Sequence, residues 1–527
     1  MARLPRMLVA DGRNLARLAE ETLERLGDHD ALIFEGQTFR SGDLHERAQH
    51  AAGGLADLGV EPGERVVVLM ANCPEVLIAY NAIWRAGAVV TPVVFLTSAP
   101  ELRHILVDSG AVAAMTTAEL LGTVLDAAAG APALRHVIVA GDHPDAPAGI
   151  GVQQVDFQDL DTAEARARVQ RRDDELAALM YTGGTTGRAK GVALSHANLW
   201  SCGRSSWEAT HVPGATRVIT PLPLSHAYGM IVTIVGMHSD ERGVAVVQRW
   251  FNASEWVALC EQHRSQRTAL VPAMMQMLLA EPLEEAALDA LLYVGSGAAP
   301  LSLDVMQEFE RRVPSCQVLE GYGCTETSAV ISTNPPGRRR PGSVGLPIAG
   351  CSVRITGEGG EVLRDGDDGE ICVRGPGVMG GYWNSPEETA AVLRDGWLHT
   401  GDIGHVDSDG YLYVVDRKKD LILRGGFNVF PRDVEDVLVS HPQVAMAGVV
   451  GRPDPRLGEE VVAFVSLKQG TTVGADELIR YARSRLSATK APREIRIVGS
   501  IPLTSVGKLD RKALRSMVAV APSAADG

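Results

Sequence analysis

The stretch that decides the fold runs Tyr181-Thr182-Gly183-Gly184-Thr185-Thr186-Gly187-Arg188-Ala189-Lys190-Gly191. It directly follows an apolar run, residues 176–180, which predicts a buried strand. Four glycines, three threonines and one lysine fall within these eleven residues. Glycine lets the backbone approach an anion closely, while threonine hydroxyls and a lysine ammonium add donors and a compact positive charge. The stretch therefore predicts phosphate binding, and the alternative is a solvated surface turn.

The spacing of this loop differs from that of a Walker P-loop. In a P-loop the lysine directly follows the second glycine, and a serine or threonine and then a helix come next. Here Lys190 follows Ala189, and residues 192–194 predict another strand. We therefore expect the loop to join two strands and to close over phosphate groups like a lid.

The composition is that of a globular chain. It has 527 residues, of which 45% are apolar and 22% charged, and its net charge is −15. A nucleic-acid surface needs a basic patch, so the interspersed charges argue against such a partner. Seven cysteines are scattered without a Cys-x-x-Cys pair, which argues against a zinc site or a disulfide framework and favours a reducing cytoplasm. No window is long and apolar enough to cross a bilayer, so no membrane span is expected.

Strands and helices alternate through the first part of the chain. Helices are predicted from Ser41 and over residues 74–85. Strands are predicted at residues 32–34, 66–70, 89–90, 111–113 and 137–139. This alternation predicts a doubly wound parallel sheet, and the polar residues 141–170 read as a connector.

Later segments predict three further parts. The strand–turn–helix pattern returns at residues 269–280 and 293–301, which indicates a second α/β unit. Short strands separated by glycine turns, at residues 342–347 and 369–375, predict a β-barrel-like subdomain. The last hundred residues predict a small α+β unit, with helices at 431–440 and 475–486 and strands at 444–450 and 461–467.

Four side chains suit a nucleotide site by their chemistry, and one histidine is considered beside them. Tyr322 offers a flat face for a base, and Glu326 is a hard oxygen ligand suited to Mg²⁺ shared with phosphates. Asp402 can accept two ribose hydroxyls, and Lys508 follows a glycine that permits close presentation. His226 lies in an apolar, turn-rich segment. Taken singly, the alternatives are a satisfied core histidine, a helix N-terminal carboxylate for Glu326, a plain turn at Asp402 and a solvated charge for Lys508.

Together these segments resemble the motifs of the acyl-adenylate-forming superfamily, which includes acyl-CoA synthetases, coumarate–CoA ligases, peptide-synthetase adenylation domains and luciferases. The similar segments keep the family's order over nearly the whole chain, at residues 181–191, 221–229, 293–301, 320–327, 397–402, 416–428 and 501–511. Three positions depart from the family. Ser225 stands where an aromatic residue is frequent, Ala298 where glycine is more usual and Cys324 where methionine is frequent.

The resemblance implies an α/β fold with a large N-terminal domain and a small mobile one. The large domain, residues 1–417, would comprise two doubly wound α/β subdomains plus the β-barrel-like subdomain, and would hold ATP and the acyl group. The small α+β domain, residues 418–527, would be a mobile lid that carries the catalytic lysine.

The resemblance also implies a role for each matching residue. Catalysis falls to Lys508 and His226, with Lys419 as the hinge, Glu326 as the metal ligand, and Gly425 and Gly426 beside the CoA thiol. The residues expected to bind ATP are Thr182, Gly183, Gly184, Thr185, Thr186, Gly187, Lys190, Ser296, Gly297, Ala298, Glu320, Gly321, Tyr322, Gly323, Thr325, Asp402 and Arg417. The residues expected to line the acyl pocket are His226, Tyr228, Met230, Val232, Gly321, Gly323, Ala329 and Val330.

The implied activity is that of an ATP-dependent acyl-CoA synthetase that uses Mg²⁺, ATP and CoA. Since the pocket positions include neither a fixed cation nor a carboxylate, a dicarboxylate or an amino acid would leave a charge unpaired. A bulky aromatic, alicyclic or medium-chain acid is the expected substrate. The nearest alternative is a standalone adenylation enzyme that loads a carrier-protein pantetheine. A luciferase-like oxygenase and a nucleotide-binding module without turnover are the others.

Overall fold

A computed structural model of the chain describes residues 12–144, 151–182, 188–504 and 509–519. These residues form two compact units. The first contains the chain up to Leu301 together with Val305–Ser352 and Val373–Leu398. The second contains Ser302–Asp304, Val353–Cys372 and the chain from His399 onward.

The helices of the described residues are numbered in chain order. They are α1 Leu15–Leu26, α2 Ser41–Asp57, α3 Pro74–Arg85, α4 Ala99–Ser109, α5 Leu121–Ala128, α6 Phe157–Asp161, α7 His196–Thr210, α8 Ala227–Met237, α9 Ala253–His263, α10 Pro272–Leu278, α11 Leu303–Arg312, α12 Pro386–Val392, α13 Pro431–Val439, α14 Ala475–Arg483 and α15 Arg511–Ala519. Short 3₁₀ turns lie at Ala118–Leu120, Leu283–Glu285, Thr325–Thr327 and Lys418–Asp420.

The strands are numbered in the same way. They are β1 Asp30–Phe34, β2 Gln37–Arg40, β3 Arg65–Leu69, β4 Val89–Pro92, β5 Ala113–Thr117, β6 His136–Ala140, β7 Gln153–Asp156, β8 Leu176–Thr182, β9 Lys190–Ser195, β10 Arg217–Thr220, β11 Val244–Val247, β12 Arg267–Leu270, β13 Tyr293–Ser296, β14 Gln317–Tyr322, β15 Ser332–Thr333, β16 Leu346–Pro347, β17 Ser352–Thr356, β18 Gly369–Arg374, β19 Gly381–Tyr382, β20 Leu393–Arg394, β21 Trp397–Val406, β22 Leu412–Arg417, β23 Ile422–Arg424, β24 Phe427–Val429, β25 Val444–Asp454, β26 Gly458–Leu467 and β27 Glu494–Ile497.

An eight-stranded sheet carries the phosphate loop. Its strand order is β19-β9-β8-β4-β3-β5-β6-β7, and all neighbours from β8 to β7 are parallel. The central strands are apolar on both faces because helices cover the sheet on each side, as the fully buried residues Val66 to Leu69 show. β9 runs antiparallel to β8, with Lys190 opposite Thr182. The prediction that the loop joins two strands is confirmed, and its residues 183–187 lie outside the described residues.

A nine-stranded sheet forms the second α/β layer. Its order is β16-β15-β14-β13-β12-β10-β11-β1-β2, and the neighbours from β14 to β1 are parallel. In this register Ser296 lies opposite Glu320, so the ends of β13 and β14 are adjacent. The predicted α/β fold with two doubly wound subdomains is thereby confirmed.

Two local predictions were wrong. Residues 141–170 are not only a connector, because β7 and α6 lie within them. α6 has five residues, too few to show a helical period in the sequence, although Phe157 and Leu160 are buried. Residues 346–347 extend the nine-stranded sheet rather than a barrel, because Gly345, at φ +86°, brings the chain against the Thr333 backbone.

The remaining strands form two smaller sheets. One has five strands, in the order β17-β18-β21-β20 with β22 paired to β21. The other has the order β24-β23-β26-β25 with β27 paired to β26, and belongs to the second unit. Along β26 alternate residues enter two cores: Val461, Ala463 and Val465 pack with α13 and α14, and Val462 and Phe464 pack with α15. The last hundred residues therefore have the mixed α+β structure that the sequence predicts.

Two observations bear on the cellular setting. Over residues 12–144, 151–182, 188–504 and 509–519, no helix has the length and apolar character needed to span a membrane. All seven cysteines are free thiols, and five of them are buried.

A buried histidine makes the stability depend on acid pH. His196 begins α7, is fully buried, and its Nδ1 accepts a hydrogen bond from the Leu15 amide at 3.3 Å. Burial, aided by the charge of Arg171, lowers the pKa of His196 to about 3. The unfolded chain binds a proton at this imidazole near pH 6.5, whereas the folded protein binds it only near pH 3. The free energy of unfolding therefore falls by about 1.4 kcal/mol per pH unit as the pH drops from 6.5 toward 3, and this loss is absent above pH 6.5.

We expect His196→Asn to reduce this acid sensitivity. Asparagine supplies an acceptor for the Leu15 amide but does not titrate. Between about pH 7 and pH 5 the wild type should lose about 2 kcal/mol more unfolding free energy than the variant. Urea unfolding at the two pH values measures the difference. Equal losses in the two proteins would contradict this role for the imidazole.

Candidate active site

The described ends of the phosphate loop hold Lys190 in a defined place. Its Nζ lies 2.7 Å from Glu388 Oε1 on α12 and 5.2 Å from the centre of the Tyr382 ring. Thr182 stands opposite it on β8. The ammonium is therefore held by a carboxylate and an aromatic face, and Gly183, Gly184, Thr185, Thr186 and Gly187 lie outside the described residues.

Glu326 lies in the 3₁₀ turn that follows β14 and offers a carboxylate oxygen. Its Oε1 accepts a hydrogen bond from the Tyr382 hydroxyl at 2.8 Å. Its Oε2 accepts no hydrogen bond from the rest of the described chain. Those residues also contain no group of three or more His, Cys, Asp or Glu that could hold a metal by themselves. A single hard carboxylate oxygen suits Mg²⁺, which binds one or two carboxylates together with substrate phosphates and waters.

The predicted base site lies where β13 and β14 end side by side. A Cβ added at Gly297 would lie 3.3 Å from the Gly321 carbonyl, so the two turns approach closely. The Ser296 hydroxyl is buried and has no hydrogen-bond partner among the residues described. Ala298 has φ +69°, a left-handed conformation that glycine adopts without strain. The departure of Ala298 from the family therefore places a strained residue beside the predicted base site.

Four of the predicted acyl-pocket residues lie at the N-cap and in the first half of α8. His226 caps this helix, and its Nδ1 accepts a hydrogen bond from the Tyr228 amide at 3.2 Å. The cap places the imidazole proton on Nε2, which makes His226 a neutral donor. The Tyr228 side chain packs against the end of β13, since a Cβ at Gly295 would lie 3.3 Å from its hydroxyl. Met230 is fully buried, and Val232 is half-buried.

Tyr228 keeps its phenolic proton. Burial raises the pKa of Tyr228 far above its ordinary value. Its hydroxyl forms no hydrogen bond with any other described residue. A neutral phenol is therefore available as a donor or acceptor among the residues predicted to line the pocket.

Two further predicted pocket residues, Ala329 and Val330, belong to a strained turn. Ser328 and Ala329 both have left-handed φ values, +57° and +85°. The Cys202 thiol donates to the Ser328 carbonyl at 3.2 Å, and the Ser328 hydroxyl donates to the Gly377 carbonyl at 2.8 Å. A Cβ at Gly323 would lie 2.0 Å from the Ala329 carbonyl. These contacts with neighbouring residues hold the turn that carries Ala329 and Val330 in its strained conformation. Strain of this kind is common in functional segments.

Two glycines of α8 provide a matched test of this packing. A Cβ at Gly229 would lie 2.0 Å from the Pro223 carbonyl, whereas one at Gly236 meets no atom within 4 Å. We expect Gly229→Ala to lower the unfolding free energy by about 1–3 kcal/mol through overpacking. Gly236→Ala, in the same helix, should raise it by about 0.5–1 kcal/mol. Urea unfolding of the two variants tests the contrast, and similar destabilisation by both would contradict it.

In the second unit, Asp402 and Arg417 are brought together. They are opposite each other on β21 and β22, and Arg417 Nε lies 3.1 Å from Asp402 Oδ1. Asp402 is buried, and its amide donates to the Thr400 hydroxyl. The adjacent carboxylate of Asp416 accepts hydrogen bonds from the Arg417 and Arg432 amides. The strand pairing therefore fixes the carboxylate and guanidinium that the sequence assigns to ribose.

The predicted hinge residue lies in the turn directly after β22. Lys419 lies in the 3₁₀ turn Lys418–Asp420. Burial, and next the charge of Arg417, lower the pKa of Lys419 from its ordinary value. Gly425 and Gly426 form the tight turn between β23 and β24, at φ +60° and +82°, which favour glycine. Both glycines are exposed.

Lys508 lies outside the described residues, but its flanks are held firmly. Leu503 and Leu509 pair across the base of the segment, and the Asp510 amide donates to the Pro502 carbonyl. Arg511 Nη2 lies 2.8 Å from both oxygens of Glu435 on α13. Burial raises the pKa of Glu435, and the charge of Arg511 opposes that rise.

Two family models match the chain. The model described as AMP-binding enzyme matches residues 19–383, and the AMP-binding enzyme C-terminal domain matches residues 433–508. The chain belongs to the AMP-binding enzyme family. The first match alone covers more than half of the chain and includes Thr182, Lys190, Glu326 and Tyr382.

Relatives match this AMP-binding enzyme along almost their whole length. A feruloyl-CoA synthase from an Amycolatopsis species is 36% identical over 92% of this chain and 95% of its own. A long-chain-fatty-acid–CoA ligase of Bacillus subtilis is 33% identical over 97% and 96%. A solved anthranilate CoA ligase in complex with anthranoyl-AMP has a TM-score of 0.89 and 25% identity, and covers 96% of this chain and 97% of that one. The chain is an AMP-forming acyl-CoA ligase.

Several residues of the site could not be assigned from the sequence. Tyr382 and Glu388 carry no motif that indicates a role, yet both contact residues of the phosphate site. Glu435 likewise received no role. Each acts through a partner more than 50 residues away in the sequence, and a single sequence carries no signal for such contacts.

Proposed function

We propose that this AMP-forming acyl-CoA ligase activates a bulky aromatic, alicyclic or medium-chain carboxylic acid and transfers its acyl group to CoA. The proposal rests on the chemistry of the residues predicted to line the acyl pocket, four of which lie at the N-cap and in the first half of α8. The predicted positions are apolar or glycine apart from a neutral imidazole and a neutral phenol, so a second charge on the acid would be buried unpaired. One relative is named for the feruloyl group, which is aromatic and falls within this range, and another is named for long-chain fatty acids.

The first half-reaction brings two anions together. A carboxylate oxygen attacks the α-phosphorus of ATP, the new acyl–O–P bond forms, and the bond to the β-phosphate bridging oxygen breaks to release pyrophosphate. Positive charge on the reacting oxygens is therefore the main requirement. We assign Lys508 to the carboxylate and α-phosphate, and Lys190 with the hydroxyls of Thr182, Thr185, Thr186 and Thr325 to the phosphates.

Glu326 would hold Mg²⁺ through the oxygen that its tyrosine partner leaves available. The ion, when bound, supplies charge neutralisation to the phosphates. The base would lie against Tyr322 and the turns 296–298 and 320–323, and Asp402 with Arg417 would hold the ribose. The Nε2 proton of His226 and the phenol of Tyr228 would border the acyl group.

The second half-reaction breaks the acyl–phosphate link. The CoA sulfur forms a bond to the acyl carbon, the bond to the AMP oxygen breaks, and the thiol proton passes to solvent. We propose that residues 418–527 rotate about Lys419, which withdraws Lys508 and brings Gly425 and Gly426 beside the thiol. Closure of this kind on the μs–ms scale is ordinary for enzymes. Residues 1–417 would remain as the domain that holds ATP and the acyl group.

CoA rather than a carrier protein is the acceptor. The relatives matched over more than nine-tenths of this chain are named for CoA thioesters, so the carrier-protein alternative is not favoured. We further propose a reducing cytoplasm as the setting, because all seven cysteines are free thiols.

The test is exchange of labelled pyrophosphate into ATP without CoA, over a panel of acids. We expect exchange with 4-hydroxycinnamic, benzoic, cyclohexanecarboxylic and octanoic acids that exceeds exchange with malonate or amino acids by at least about tenfold, since an unpaired buried charge costs more than 1.4 kcal/mol. Preference for malonate or an amino acid would refute the proposed acid class. Thioester formation with CoA confirms the acceptor.

A further inference from the structure

A five-residue segment, here called the strap, connects the turn that holds Glu326 to the strand that holds Lys190. It runs from Met379 to Trp383 and includes β19. At one end the Met379 amide donates to the Glu326 carbonyl at 2.8 Å. At the other the Trp383 amide donates to the Gly191 carbonyl at 2.7 Å, one residue after Lys190. The strap therefore connects the carboxylate turn to the strand that follows the phosphate loop.

The side chain of Tyr382 repeats this connection. Its hydroxyl donates to Glu326 Oε1 at 2.8 Å, and its ring centre lies 5.2 Å from Lys190 Nζ. The ring is fixed by the backbone, because Tyr382 pairs with Val192 on β9 and its amide donates to the Thr389 hydroxyl at 2.8 Å. One rigid side chain therefore contacts both a carboxylate and an ammonium of the phosphate site.

The Tyr382 hydroxyl is suited to fix the orientation of the Glu326 carboxylate. It is the donor of the hydrogen bond to Oε1 of Glu326, because an ionised carboxylate oxygen can only accept. Oε2 of the same carboxylate accepts no hydrogen bond from another residue in the described part of the chain. A carboxylate held in this way loses little rotational freedom when it meets a cation.

We propose that Tyr382 is a positioning residue for the metal site, which orients the Glu326 carboxylate so that its second oxygen meets the Mg²⁺ of the nucleotide complex. The proposal rests on the proposed role of Glu326 as the metal ligand. It adds a residue that contacts neither substrate nor metal but acts through its hydrogen bond.

The experiment measures metal binding rather than turnover. Mn²⁺ is titrated by electron paramagnetic resonance into the full-length protein saturated with α,β-methylene-ATP, which cannot release pyrophosphate. Loss of such a supporting hydrogen bond costs about 10–100-fold in metal affinity, so Tyr382→Phe should weaken Mn²⁺ binding by at least about tenfold. Binding of AMP without metal should be unchanged, which shows that the variant is folded.

Tyr413→Phe is the matched control. The Tyr413 hydroxyl also donates to a carboxylate, Asp407 Oδ2 at 3.3 Å, and neither residue is assigned to the nucleotide or the metal. This variant should therefore bind Mn²⁺ with the affinity of the wild type. An equal loss in both variants would show a general effect of removing a tyrosine hydroxyl and would overturn the proposal.

Glu326→Gln separates the two claims. If Glu326→Gln weakens Mn²⁺ binding and Tyr382→Phe does not, the positioning role is wrong and the metal site stands. If Glu326→Gln has no effect, the assignment of the metal to Glu326 is itself wrong. The double variant should bind Mn²⁺ no more weakly than Glu326→Gln alone, because the hydroxyl acts through that carboxylate. An additive further loss would contradict the mechanism.

Discussion

Lys508→Ala is expected to abolish adenylation while sparing thioester formation from supplied acyl-adenylate. The lysine is assigned to the two anions that meet in the first half-reaction, and removing one such charge costs about 10²–10³ in rate. In the second half-reaction the acyl-adenylate is already formed and this charge has no assigned task. Pyrophosphate exchange measures the first step, and release of AMP from supplied acyl-adenylate plus CoA measures the second.

The control for Lys508 is Lys512→Ala. Lys512 is an exposed lysine in the first turn of α15, close to Lys508 in the sequence. Its removal changes the net charge by the same amount. It should leave both half-reactions within about twofold, because exposed charges on the surface contribute little. Equal loss of both half-reactions in Lys508→Ala would contradict the model in which the small domain takes two positions.

Asp402→Ala should remove the enzyme's selectivity for ribose. The carboxylate lies opposite Arg417 at 3.1 Å and is assigned to the two ribose hydroxyls. Hydrogen bonds to a charged group contribute about 1.5–3 kcal/mol each, so AMP affinity should fall at least about tenfold. Wild-type enzyme should also bind AMP more tightly than 2′-deoxy-AMP, and the variant should lose most of that difference. Calorimetry with the two nucleotides measures both effects.

Asp409→Ala is the control for this substitution. Asp409 is exposed in the turn between β21 and β22, the two strands that carry Asp402 and Arg417. It should leave both nucleotide affinities unchanged. If Asp402→Ala weakens AMP and 2′-deoxy-AMP equally, the carboxylate does not contact the 2′-hydroxyl.

The sequence predicted most of the fold because its buried strands are short apolar runs with clear ends. Helix α3 was predicted over its full length, since Pro74 begins it and the apolar positions repeat at helical spacing. The two strands around the phosphate loop were also predicted correctly. α6 and β16 were missed or misplaced because they have five and two residues, and their positions depend on tertiary packing rather than on local pattern.

The candidate site was predictable only where motif and chemistry coincide. Asp402 and Arg417 were named from the sequence, and the strand pairing places them in contact. Tyr382 could not be assigned, because its role comes from Glu326, 56 residues away in the sequence. The left-handed conformation of Ala329 was also invisible, since alanine is rarely found there and nothing in the sequence marks the Cys202 thiol that supports the adjacent Ser328.

A crystal structure with bound AMP would show whether this chain binds an adenylate among Tyr322, Asp402 and Arg417. The account predicts the base against Tyr322 and the ribose hydroxyls on the Asp402 carboxylate. An AMP molecule whose base and sugar lie away from both residues would contradict it.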